Sequence, residues 1–189
     1  MPVYAPERAS LNTVLVPPII NDATQISNST AEAIMVPDTL LGAGFFRAGT
    51  TLRGVVRGVC SNVVTTPGTL IYRVRMGTTT LSATAVVASR ALGLDTTAQT
   101  NAPWELRFEI VCRSAGTSGT ALLTGTALQF NVLASSAANL LPNILPVGTN
   151  AAQTVNTTVA NILSVSAQFS VATSPTNLTA QTYILEQLV

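Results

Sequence analysis

Side chains able to do chemistry are few in this sequence and widely scattered. There is no histidine and no lysine; the nine basic residues are all arginine, and they face eight carboxylates: Glu7, Asp22, Glu32, Asp38, Asp95, Glu105, Glu109 and Glu186. Without histidine the commonest general base and metal ligand is missing, and without lysine so are Schiff-base and ammonium roles. Ser-His-Asp and Cys-His arrangements are therefore excluded. Cys60 and Cys112 lie too far apart in sequence for CxxC zinc spacing, so no metal is expected.

Carboxylate chemistry is the remaining route to catalysis. Glu105 and Glu109 share one face of an alternating segment. At strand rise their backbones stand about 13 Å apart, beyond the roughly 5 to 9.5 Å that glycoside hydrolysis uses, and Arg107 falls between them. Gly42-Ala43-Gly44 and the Gly116 to Gly119 stretch lack the spacing of phosphate-cradling loops and read as turns. No cofactor and no small-molecule substrate are expected. Asn28, Asn156 and Asn177 begin Asn-X-Ser/Thr triplets, which would be glycan acceptors only in a secretory pathway.

The elements that carry these residues read as strands. Charged residues are 9 % of the chain, against roughly 25 % in an average soluble domain. Uncharged polar residues replace them, led by 28 threonines, whose β-branching suits a pleated surface. A net charge of +1 offers no electrostatic footprint for nucleic acid. It also gives copies of the chain little reason to repel one another, which favours oligomers. No apolar run is long enough for a membrane-spanning helix. The opening Met1 to Arg8 lacks a basic-then-apolar leader pattern, so cytoplasmic synthesis and two reduced core thiols are expected.

From residue 1 to about 50, prolines interrupt any period, and the segment reads as an extended N-terminal arm with short strand pieces. Within it Leu11 to Ile20 and Ala31 to Leu41 are apolar enough to add to a sheet edge or lie on a neighbour. Residues 51–189 then alternate as strands do. Leu52, Val56 and Cys60 share a face with Gly54 and Gly58; Leu70, Tyr72, Val74 and Met76 share another. Further strands are read at Leu81 to Ala88, Trp104 to Arg113, Thr120 to Val132, Ile162 to Val171 and Leu178 to Val189. That makes seven or eight strands.

The clearest is Trp104 to Arg113, with Trp104, Leu106, Phe108, Ile110 and Cys112 inward. In Ile162 to Val171 the inward set is Leu163, Val165, Phe169 and Val171. The expected fold is an all-β antiparallel sandwich of one domain. Glu105, Arg107, Glu109 and Arg113 should pair across strands with Arg53, Arg57, Arg73 and Arg75, or meet another subunit through bidentate guanidinium contacts. Ala134 to Thr158 lacks any period and is longer than a passive connection tends to be, so it reads as a contact loop. The candidate interface residues are thus Pro17, Pro18, Ile19 and Ile20 in the arm, Arg53, Arg57, Arg73 and Arg75 on strands, and Leu140, Leu141, Pro142, Ile144, Leu145 and Pro146 in the loop.

Two stretches of phrase carry a family resemblance. Ala167-Gln168-Phe169-Ser170-Val171-Ala172-Thr173-Ser174 followed by Leu178 to Glu186 resembles the last two strands of tailed-bacteriophage structural proteins. Leu70 to Gly77, Trp104 to Ile110 and Arg113 to Thr120 resemble the rhythm of small phage head-decoration proteins, over residues 51–189. The resemblance implies a jelly-roll-like sandwich, often trimeric, made in the host cytoplasm and carried on the virion, where it clamps major capsid protein subunits from outside. It transfers no catalytic residue. A tail or fibre part that binds a host receptor or glycan stands as the alternative. A small icosahedral coat protein would bring a basic arm, whereas Arg8 is the only basic residue before Arg47; a lectin or glycan-active enzyme would need two carboxylates in one concave site.

Overall fold

The computed structural model describes residues 13–16, 25–63, 65–129, 143–146 and 148–188, the first of these segments as backbone alone. Among them there are fourteen strands and no helix: β1 (Thr13–Val16), β2 (Ile26–Ser27), β3 (Ala33–Ile34), β4 (Thr39–Leu41), β5 (Thr51–Asn62), β6 (Thr69–Gly77), β7 (Ala85–Ala88), β8 (Leu92–Gly93), β9 (Gln99–Ser114), β10 (Gly119–Gln129), β11 (Asn143–Leu145), β12 (Gln153–Val155), β13 (Asn161–Phe169) and β14 (Asn177–Leu188). They form two antiparallel sheets, an eight-stranded one in the order β1-β14-β5-β9-β10-β11 with β2 and β12 attached, and a six-stranded one in the order β3-β13-β6-β7 with β4 and β8 attached. The chain is an all-β antiparallel sandwich.

Alternation explains the core. Leu52, Val56 and Cys60 from β5, Leu70, Tyr72, Val74 and Met76 from β6, and Trp104 to Cys112 at every second position of β9 are all buried in one hydrophobic cluster. Each of these three strands thus buries one face more deeply than the other, whereas β13 is covered on both, with Ser164 and Ser166 buried as well. At the centre Phe108 lies opposite Gly54 on one side and Gly125 on the other. A Cβ on Gly54 would sit 2.0 Å from Phe108 Cζ, so the missing side chain makes room for the ring. Gly58 is the notch for a close backbone approach, with Thr179 O 1.9 Å from where its Cβ would be, beside an irregularity of β14 between Ala180 and Thr182.

The core strands match the alternation, apart from two places. Leu81 to Ala88 is a strand only from Ala85, because Leu81 takes a positive φ of 53° in the turn before it. Val171 lies beyond the end of β13 at Phe169 and is half-buried, since the chain turns at Ser170. The short strand pieces expected before residue 50 are present as β1 to β4, with β1 inside Leu11 to Ile20 and β3 and β4 inside Ala31 to Leu41. β2 pairs with β14 while β3 and β4 pair with β13, so residues 26–41 pass from one sheet to the other along the β13–β14 side, burying Met35, Val36 and Leu41.

On the opposite side, β11 and β12 pair with β10 and reach across to the other sheet. Arg90 Nε donates to Asn143 Oδ1 at 2.5 Å. Gln153 Nε2 donates to Val86 O and Val86 N donates to Gln153 Oε1, both at 2.7 Å. One side-chain amide therefore satisfies both backbone groups of a residue on the terminal strand β7, as a neighbouring strand would.

Candidate functional site

Charge gathers in two places, one on each outer face. On the eight-stranded sheet, register sets Arg53 opposite Glu109, and Arg57 opposite Glu105. Arg53 Nη2 reaches Glu109 Oε1 at 2.9 Å, and Arg57 Nε donates to Glu105 Oε2 at 2.5 Å. Arg107, two residues along β9, donates through Nε to the other oxygen of Glu105 at 2.6 Å. Partial burial alone would raise the Glu105 pKa. The hydrogen bonds and charges of Arg107 and Arg57 outweigh it and hold the carboxyl below its usual range.

The six-stranded sheet holds a denser cluster. Arg73 and Arg75 lie on β6 opposite Ser166 and Ser164, and Glu32 comes down over them from the segment between β2 and β3. Arg75 grips Glu32 with two prongs, Nε to Oε1 at 2.7 Å and Nη2 to Oε2 at 2.8 Å. Ser166 Oγ donates to the same carboxylate at 2.5 Å. Arg73 Nη1 stands 3.3 Å from Oε2, near enough for charge attraction without making a hydrogen bond. Burial pushes the Glu32 carboxyl up, and the bonds from Arg75 and Ser166 with the charges of Arg73 and Arg75 bring it below normal.

The expected pairing is therefore met by Arg53 and Arg57 and corrected for Arg73 and Arg75. β6 belongs to the other sheet, so its outward arginines cannot reach β9; their partner is Glu32, a residue with no periodic context. Among the other candidate interface residues, Ile144 is exposed, Pro146 is half-buried, and Leu145 is fully buried because β11 alternates. Pro17, Pro18, Ile19, Ile20, Leu140, Leu141 and Pro142 lie outside the described residues.

Beside the first cluster runs a groove of about 570 Å³. Its floor is the outer face of β5, β9 and β10, with Arg53, Val55, Arg107 and Thr124, and its wall is made by Ile144, Leu145, Pro146, Gly148 and Asn150. Sequence reasoning did not find it, since its two sides come from distant parts of the chain. The apolar run Ile144-Leu145-Pro146 was the one available signal.

The interior has polar groups of its own. Tyr72 Oη bonds Gln129 Oε1, and the Tyr72 ring packs on Trp104 at 5.4 Å between centroids. Burial raises the Tyr72 hydroxyl well above its usual value and pushes Tyr183 up to about 12, so neither ionises near neutral pH. Cys60 and Cys112 are buried and are not joined in a disulfide. Cys60 lies opposite Ala102 of β9, and ten residues of strand separate that position from Cys112, about 33 Å.

Among the described residues no three His, Cys, Asp or Glu side chains converge as metal ligands, and no helix is long and apolar enough to cross a membrane. Leu40 and Val159 are exposed large apolar residues on or beside the six-stranded sheet, as are Leu128 and Ile144 on the eight-stranded one. No protein-family model, no curated protein and no solved structure matches the chain.

Proposed function

We propose that this chain is a structural virion protein, a capsid cement or decoration protein of jelly-roll type. Its copies associate, as trimers, on the outer face of a phage head and bridge neighbouring major capsid protein subunits. The observation that carries this reading is the division of labour on the surface. Glu32, Glu105 and Glu109 are already held by arginines of the same chain, while Leu40 at 71 % exposure and Ile144 at 67 % stand out on different sheets.

Two unlike apolar points on one molecule suit a heterologous contact, which closes into a ring when the rotation allows. A net charge of +1 opposes such packing only weakly. On a head with many equivalent positions, individually weak contacts add through multivalency. The resemblance of residues 51–189 to phage head-decoration proteins supplies the setting.

The test is light scattering behind size exclusion on the purified chain, then co-sedimentation with empty phage heads that lack it. A stable trimer that pellets with the heads is the expected result. A monomer that stays in the supernatant overturns the reading.

A further inference from the structure

The groove beneath Ile144 has features that the ion pairs beside it do not explain. β11 covers Gly125 to Ala127 of β10 and β12 covers Gly119 to Ala121. Between them, Leu122 to Thr124 have no strand partner on that side among the described residues, though β9 pairs them on the other. Residues 148–152 lie outside the sheet here, which leaves a backbone edge at the rim of the groove.

The groove is also rich in unused polar groups. Arg107 is held through Nε alone, and its two Nη groups make no hydrogen bond among the described residues. The side chains of Thr124, Thr126 and Asn150, all in the lining, likewise have no partner there. Within the adjoining network three guanidiniums share two carboxylates, so positive charge is in excess. Val55, Ile144 and Pro146 provide an apolar side.

We infer that the groove is a docking site for an extended, acidic polypeptide segment of an assembly partner, with a carboxylate of the segment on Arg107 and an adjacent apolar side chain against Val55 and Ile144. Guanidinium nitrogens recognise carboxylates with charge-assisted hydrogen bonds, and an open strand edge recognises extended backbone. The volume lies within the range of about 300 to 1,000 Å³ typical of ligand sites. A sugar fits less well, because the one aromatic residue of the lining, Phe108, is buried. This inference rests on the assembly reading above, and the experiment separates the two.

A display library of random twelve-residue peptides is panned against the full chain and against Arg107→Gln and Ile144→Ser, both exposed positions that leave the core intact. The expected result is enrichment of sequences with Asp or Glu beside an apolar residue, at least tenfold weaker binding to each variant, and weaker binding in high salt. No enrichment, or enrichment without acidic residues, overturns the inference. So does binding of acidic glycans on an array where the peptides fail. Co-sedimentation of the same variants with heads is run alongside. Wild-type chain that pellets while Arg107→Gln pellets equally well overturns the groove and leaves the assembly reading standing; wild-type chain that fails to pellet overturns that reading, while the panning result is judged by itself.

Discussion

The two outer faces of the sandwich use the same residue types at different depths. On the eight-stranded sheet Arg53 and Glu109 are about half exposed, at 49 % and 45 %. On the six-stranded sheet the side chains of Arg73, Arg75 and Glu32 are all near 16 %, at 17 %, 15 % and 17 %. Exposed pairs gain little, because water and salt compete with the partner. Removing one member of a covered cluster strands the others without solvent to replace it. The first face should be a versatile surface and the second a fastening for the segment over it.

The sharpest way to break this comparison is Glu32→Ala. It leaves Arg73 and Arg75 facing each other without a counter-charge and Ser166 without its acceptor, and it should cost about 2 to 3 kcal/mol, read from urea denaturation. Cleavage within residues 25–36 by a protease should quicken as well. A loss below about 0.5 kcal/mol would make the two faces equivalent.

Acid offers a second approach. Glu32 and Glu105 both have folded pKa values below 4.5, so their contribution is complete above that value and is lost as pH falls through the depressed folded values. Urea midpoints should hold steady from pH 7 to about 5.5 and drop below 4. Glu32→Gln should flatten that drop more than Glu105→Gln does; the reverse order would invert the comparison.

Smaller effects belong to the eight-stranded face. Glu105 there is as covered as Glu32, at 16 %, but its partners Arg57 and Arg107 stand in solvent at 48 % and 60 %. Glu105→Gln loosens Arg57 and Arg107 together and should cost about 1 kcal/mol. A double-mutant cycle on Arg53 and Glu109 should give a coupling of about 0.5 kcal/mol at low salt, fading towards zero near 1 M, where the screening length is about 3 Å.

How much of this could be read beforehand depends on period and on distance. The alternation of Trp104 to Cys112 fixed a face before any partner strand was known, because a slip of one residue would turn every apolar side chain outward. The same logic placed Leu70 to Met76. It could not say which sheet β6 joins, since Arg53 and Arg73 occupy like positions in like patterns. Glu32 was beyond reach for a related reason: β2 and β3 have two residues each, too few to show a period. The groove escaped because Arg107 and Ile144 are brought together only by the pairing of Thr126 with both.

Gln153 has a consequence for how the protein behaves when crowded. A terminal strand with open amides is a seed on which further chains can grow without limit, and the hazard rises with local concentration. At Val86 that growth point is stoppered by a side chain of the same molecule. Copies brought close together then cannot lengthen the six-stranded sheet through Val86, and at that end of the sandwich they can meet only through side chains.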